Sequence, residues 1–273
     1  MKRSRKNKTS LGKIIVIILI IFAGFLYLDY IYKKKPKPPR PKPKIPVFIV
    51  KPKIAIIIDD MGYSKEAFEE LAKLNIKLTF SFFPGGTYTK VLASEAYSKG
   101  FDCMLHLPME PISFPKDNPG NDAVFVNMDK GKIKKLVEKH LKSVPFIVGV
   151  NNHMGSRATQ EKDIMLVVLN EVKTNNLIFV DSLTTEKSTA EKAAKEIGFK
   201  ILKRDIFLDS EQSDEFTKNA LKRLVAMAKK RKRVLAIGHP LKSTINALRE
   251  EIPFMLGEGM EFVPVSQLYP DIK

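Results

Sequence analysis

From residue 54 onward, short runs rich in β-branched and aromatic residues alternate with segments of helical periodicity, and that alternation leaves few folds open. The strand-like runs are IAIII (54–58), KLTFSF (77–82), FDCML (101–105), FIVGV (146–150), LIFVD (177–181), the KILKRDIFL region (200–208), RVLAI (233–237) and EFVPV (261–265). Strands that alternate with helices pair in parallel. The expected fold is α/β, a distorted (β/α) barrel of seven or eight mostly parallel strands. Ser64, Thr87, Asp129, Thr159 and Ser213 are placed to cap helix N-termini, and Gly100 and Gly198 stand where helices should stop. The lone cysteine, Cys103, allows no intrachain disulfide and reads as a small buried hydrophobe on a strand.

In a parallel barrel the C-terminal strand ends converge on one face, where active sites are built. Asp59-Asp60, His106, Asn151-Asn152-His153, Asp181, Asp209 and Gly238-His239 all fall at such ends. Each alone is weak, since paired acids often form turns and a lone histidine is often structural. Their convergence carries the reading. His140, inside KKLVEKHLKSV, is expected to be a solvated helix residue.

Two histidines and a carboxylate suit a catalytic zinc with one coordination position left open. Such a metal acidifies water and polarises a carbonyl. One acid of the Asp59-Asp60 pair can bind the ion while the other handles protons, and a histidine across the site can protonate a leaving amine. Other chemistries fit less well. The chain has no G-x-S-x-G elbow, no Walker A loop and no G-x-G-x-x-G. A glycosidase built on Asp59, Asp60, Asp181 and Asp209 would leave three strand-end histidines without a role.

The N-terminus is a separate region. Residues 14–28, IIVIILIIFAGFLYL, are uncharged, and with Tyr30, Ile31 and Tyr32 they approach the length that crosses a bilayer. The expected organisation is a basic cytoplasmic tail (1–13), a transmembrane anchor (14–32), a Lys/Pro-rich stalk (33–53) and a catalytic domain (54–273). KKKPKPPRPKPKIP in the stalk favours extended polyproline II. No small-residue cleavage pattern follows the apolar run, so a single-pass anchor is preferred to a cleaved signal, with the domain on the extracytoplasmic side. The formal charge of +17 belongs to this tail: residues 1–53 hold fifteen Lys/Arg against one acid, and the remainder thirty-two against twenty-nine. Nucleic acid is therefore not an expected partner, and an anionic membrane is.

The segments IAIIIDDMGYS (54–64), HLPMEP (106–111), NNHMGSRAT (151–159), FVDSLTT (179–185), RDIFLD (204–209) and IGHPLKSTI (237–245) resemble the divergent polysaccharide deacetylases, relatives of the NodB-type carbohydrate esterases. The resemblance covers residues 54–269. It implies a metal site and hydrolysis of N-acetyl groups on a glycan, with Asp59 as base, Asp60 as metal ligand and His239 as acid. The usual enzymes take both histidine ligands from one H-S/T-x-x-H motif. This chain lacks it, so His106 pairs with the distant His153. Leu183 also stands where the family often carries arginine. Asn151, Asn152 and Arg157 are candidates to orient ligands or substrate, and Asp181 and Asp209 to hold histidines. Residues 112–122 and 183–190 are candidate groove loops. The expected activity is a zinc-dependent N-deacetylase acting on a cell-envelope polysaccharide. The alternatives are an inactive domain that binds glycan or an envelope partner, and a metallophosphoesterase.

Overall fold

The computed structural model describes residues 11–34 and 51–269, and the chain divides into two compact units, Met1–Phe48 and Ile49–Lys273. The described part of the first is one helix, α1 (Leu11–Lys34), of 24 residues with none buried. At 1.5 Å per residue it is about 36 Å long, enough to cross a hydrocarbon core. Lys33 pairs with Asp29 one turn back at 2.8 Å. Residues 1–10 and 35–50, most of the expected tail and stalk, lie outside the described residues.

The second unit runs β1 (Lys53–Met61), α2 (Lys65–Ala72), β2 (Thr79–Phe82), α3 (Thr89–Ser98), β3 (Asp102–Met109), α4 (Lys130–Ser143), β4 (Ile147–Met154), α5 (Lys162–Thr174), β5 (Ile178–Asp181), α6 (Ala190–Glu196), β6 (Leu202–Lys203), β7 (Ile206–Phe207), α7 (Asp214–Arg231), β8 (Arg233–Gly238), α8 (Lys242–Gly257) and β9 (Glu261–Phe262). Its strands are parallel, in the order β6-β5-β4-β3-β2-β1-β8-β7, with β9 added against the start of β1. The expected 200–208 strand is split: β6 lies at one edge of the sheet and β7 at the other, with only Arg204-Asp205 between them. Two residues cannot separate the edges far, so the sheet must curl until they meet, and the result is a distorted barrel with a seam at Arg204-Asp205. Each seam residue continues the ladder on its own side, Arg204 N bonding the Asp181 carbonyl of β5 and Asp205 N that of Leu235 in β8.

Period-two alternation sorts the strands into two faces. Outward residues such as Ile54, Ile56, Ile58, Phe80, Phe82, Cys103, Leu105 and Phe179 form the large core under the helices. Cys103 is fully buried, as its surroundings in the sequence suggest. α7 buries Thr217, Ala220, Leu221, Leu224, Val225 and Ala228, a stripe at helical spacing. Inward residues Ala55, Ile57, Met104, Val180, Leu235 and Ile237, with Val263, Val265 and Leu268, fill the barrel itself. The next inward positions up each strand are polar: Asp59, Ser81, His106, Asn151, Ser182 and His239. The interior is thus an apolar plug beneath a polar mouth.

Several local expectations need correction. Ser64, Asp129 and Ser213 cap their helices through their side chains. Thr87 does not: α3 begins after Tyr88. Thr159 bonds back to the Gly155 carbonyl, and α5 begins after Glu161. His140 is not solvated. It is 4% exposed, with Nε2 2.7 Å from the Asp122 carbonyl, and burial pushes its imidazole below the ordinary value. It ties α4 to the loop that precedes it.

Candidate metal centre

Parallel pairing sets like-facing residues side by side. His106 is opposite Asn151, and Pro108 opposite His153, so His106, Asn151 and His153 all face inward at the top of β3 and β4. Asp59 continues the inward row of Ala55 and Ile57. By alternation Asp60 should face out. Instead the register with β2 slips: Ile58 is opposite Phe80 and Met61 opposite Phe82, so Asp59 and Asp60 together oppose Ser81. Asp60 takes a left-handed φ of 54°. This bulge turns both carboxylates toward the mouth.

Three candidate ligand atoms meet there. Asp60 Oδ1 lies 3.0 Å from His153 Nδ1 and 3.3 Å from His106 Nε2, and the two nitrogens are 3.1 Å apart. Tetrahedral zinc with bonds of about 2.0–2.1 Å separates its ligands by about 3.3 Å. Chemistry agrees with spacing. Asp60 Oδ1 is buried and has no hydrogen-bond donor. His106 Nδ1 lies 3.1 Å from Asn151 Oδ1, which can only accept, so Nδ1 carries the proton and the neutral ring turns its Nε2 lone pair to the cluster. Acceptors converging on an orphaned carboxylate oxygen fit a cation. Burial alone would raise the Asp60 carboxyl, but where the imidazoles carry the positive charge in place of an ion they outweigh it and hold Asp60 well below the usual range.

Asn151 organises the layer beneath. Its amide nitrogen donates to both oxygens of Asp59 at 2.8 and 3.0 Å and to Ser182 Oγ at 3.2 Å, while its oxygen accepts from Ser81 Oγ. Asp59 is 2% exposed and 3.6 Å from His106 Nε2. Burial raises its carboxyl above the ordinary value, against the pull of His106, His239 and the Asn151 amide. Across the mouth, His239 Nε2 stands 4.0 Å from Asp60 Oδ2, and its Nδ1 bonds Asp209 at 2.9 Å. Asp209 also accepts from the His239 backbone N–H and from Thr244 Oγ1. Burial would lower the His239 imidazole, but Asp209, with Asp59 and Asp60 behind it, lifts it to about 9. Phe83 meets the His153 ring edge-on at 5.1 Å, and exposed Tyr63 flanks Phe83 at the rim.

The sequence matches the profile of the divergent polysaccharide deacetylases over residues 56–269. The chain belongs to that family. A protein of Haemophilus influenzae, called uncharacterized, is 32% identical over 221 residues, which are 81% of this chain and 78% of that one. Among solved structures, an uncharacterized protein from Agrobacterium tumefaciens C58 superposes with a TM-score of 0.76 at 22% identity, covering 80% of this chain and 89% of that one. The catalytic domain of a peptidoglycan N-acetylglucosamine deacetylase from Eubacterium rectale has a TM-score of 0.50 at 15% identity, with 79% and 89% covered. These two structures share the fold.

Within the family's barrel, the residues singled out in the sequence divide into two groups. Asp59, Asp60, His106, Asn151, His153, Asp209 and His239 come together at one mouth. Asn152, Arg157 and Asp181 do not join them. Asn152 ties strand ends, donating to the Met154 carbonyl and accepting from Ser182 N–H. Arg157 pairs with buried Glu110 at 2.8 Å, and Glu110 also holds Val126 N–H. Asp181 does not hold a histidine: its oxygens accept from Leu183 N–H and Ser188 Oγ. Arg204 lies in the RDIFLD segment. It straddles the seam, donates to the carbonyls of Ser182 and Leu183 at 2.7 and 2.9 Å, and lies over Phe207 at 3.8 Å. Its signal was a cation in the run that closes the sheet. Ser81 and Ser182 carried no signal beyond their inward phase.

Proposed function

We propose that the domain is a metal-dependent hydrolase that removes N-acetyl groups from a cell-envelope polysaccharide, held at a membrane by α1 on the extracytoplasmic side. The observation that carries this reading is the triangle of Asp60 Oδ1, His106 Nε2 and His153 Nδ1 around an oxygen without a donor, with a proton acceptor and a proton donor on its flanks. Asp60, His106 and His153 would hold the ion. Zinc suits this oxygen and nitrogen set best. When bound, it supplies a polarised acetyl carbonyl and a more acidic water.

The residues around it divide the proton work. Asp59, buried and clamped by the Asn151 amide, takes the proton from the attacking water; its raised carboxyl makes it a stronger base than an exposed aspartate. His239, charged at neutral pH because Asp209 stabilises the imidazolium, gives a proton to the departing amine nitrogen. The apolar plug below closes the barrel to water from beneath. The substrate class follows the family and the similar fold of a peptidoglycan N-acetylglucosamine deacetylase. The test is metal analysis of the purified protein followed by acetate release from N-acetylglucosamine oligomers and peptidoglycan. Stoichiometric metal and acetate release, both lost in Asp60→Ala and His153→Ala, are expected. Release unchanged in those variants would remove the proposed centre. Metal without acetate release would leave a glycan-binding domain.

A further inference from the structure

The opposite end of the barrel has a composition of its own. Strand starts and helix ends gather there, and so do four of the domain's exposed large apolar side chains: Tyr97 and Phe254 in the last turns of α3 and α8, Leu256 beside Phe254, and Phe146 just before β4. Tyr97 and Phe146 are 57% and 51% exposed, yet their rings stack at 4.3 Å and 9°. Phe146 takes a φ of 59°, a left-handed conformation that disfavours phenylalanine. Two aromatic rings thus support one another in solvent.

Nearby is a concavity of about 620 Å³ whose lining includes Ile76, Phe101, Leu256 and Met260 and the cations Lys51, Lys77 and Lys99. Its one acid is Glu261. Lys99 shares its charge with Glu95 at 3.6 Å, whereas Lys51 and Lys77 make no ion pair among the described residues. Cations around exposed aromatics suit a surface that is negative outside and apolar within. That is the profile of an anionic bilayer rather than of an acidic protein. The chain enters the domain on this end: residues 35–50, sixteen residues with five Lys/Arg and no acid, lead from α1 directly to Lys51. Fully extended they reach at most about 55 Å, so an anchored α1 keeps the base at high local concentration near lipid.

We propose that the base of the barrel rests on an anionic membrane surface, with Lys51, Lys77 and Lys99 over the headgroups and Tyr97 and Phe146 at the interface, so that the metal-site mouth faces away from the bilayer. This rests on the reading of α1 as an anchor and is independent of whether the mouth is catalytic.

The test uses the domain from residue 49. It carries the whole core, and α1 has no buried residue, so it folds alone. Binding to phosphatidylcholine vesicles is compared with binding to vesicles containing about one-third phosphatidylglycerol, by co-sedimentation. Partitioning is expected only with anionic lipid, and its loss near 1 M salt, where the screening length falls to about 3 Å. Combined Lys51→Glu, Lys77→Glu and Lys99→Glu should lower it on the order of a hundredfold or more. Tyr97→Ser with Phe146→Ser should also lower it. Lys65→Glu with Lys90→Glu, at the helix starts of the other end, should leave it unchanged. Circular dichroism and metal content report folding of each variant. No binding, equal binding to neutral vesicles, or equal binding by the base variants would overturn the proposal. So would concentration-dependent dimerisation lost in the aromatic variant without lipid binding, which assigns the face to a second copy.

Discussion

Asn151 offers the sharpest test of the site, because two substitutions separate its two jobs. Its amide donates to both oxygens of buried Asp59, and its carbonyl accepts the His106 proton that commits Nε2 to the ion. Asn151→Ala removes both. Losing the partner that orients a ligand histidine typically weakens metal binding about 10–100-fold. Asn151→Asp keeps an acceptor for His106, so zinc should bind no more than about tenfold more weakly. It replaces the donor to Asp59, however, with a second acid about 3 Å away, and two carboxyls at that range share a proton. Asp59 is then raised further and is protonated when it should accept. A hydrogen bond to a charged group contributes about 1.5–3 kcal/mol, so its loss corresponds to roughly 10–100-fold in rate, and the shared proton adds to that. Zinc affinity is read by competition with a chromophoric chelator, and rate by acetate release from about pH 6 to 10. Asn151→Asp should bind zinc and turn over at least about a hundredfold more slowly at neutral pH, recovering in part as pH rises. A variant with wild-type rate, or Asn151→Ala with wild-type zinc affinity, would refute the assignment.

Removing metal should lower the melting temperature. Zinc at a hundred times its Kd adds about 2.7 kcal/mol, or roughly 5–10 °C for a domain this size, and Asp60→Ala should abolish the shift in calorimetry. In the metal-free protein, the His239 imidazole sits near 9 against an unfolded value of about 6.5. Its contribution to stability is therefore complete below about pH 6.5 and lost as pH rises through about 9. Asp209→Asn should flatten that slope and bring the His239 titration, followed by NMR, down from about 9; an unmoved titration would show that Asp209 is not its cause. His140→Ala should cost about 1–3 kcal/mol in denaturant unfolding by leaving the Asp122 carbonyl without its donor, where a solvated histidine would cost almost nothing. Gly149→Ala should destabilise by about 1–3 kcal/mol, because a Cβ there would lie 2.4 Å from Ile178 Cγ1 and 2.7 Å from its carbonyl oxygen.

What the sequence disclosed, and what it hid, follows from how each feature is encoded. Strands and helices leave a periodic trace, so the parallel barrel was readable from alternation, and the inward phase of His106, Asn151 and His239 follows from counting in twos. The seam left a misleading trace. KILKRDIFL is apolar enough for one strand, yet its halves join opposite edges of the sheet, and only closure of the whole barrel decides that. His140 hides its burial for a similar reason. Its own helix is rich in lysine, but the carbonyl that buries it belongs to Asp122, eighteen residues away. Asp181 looks like Asp209 by position, and its partner Ser188, like the Glu110 that holds Arg157, is not visible from strand ends alone.

The split histidine pair shows how far register, rather than motif, builds this site. His153 is two residues beyond Asn151, and Asn151 is the cross-strand neighbour of His106. One strand therefore delivers, on one face and one pleat apart, a proposed metal ligand and the acceptor that orients its partner's ring. Asn152 is out of phase with both, and its bonds run to the Met154 carbonyl and Ser182 N–H instead of the centre. The same count leaves Asp60 facing away, and only the extra residue opposite Ser81 brings it round to complete the triangle. The proposed ligand set, drawn from β1, β3 and β4, is thus not a scattered form of a local motif. It is what three strands of one sheet, β1 set apart from β3 by β2, produce when two keep their period and the third breaks it once.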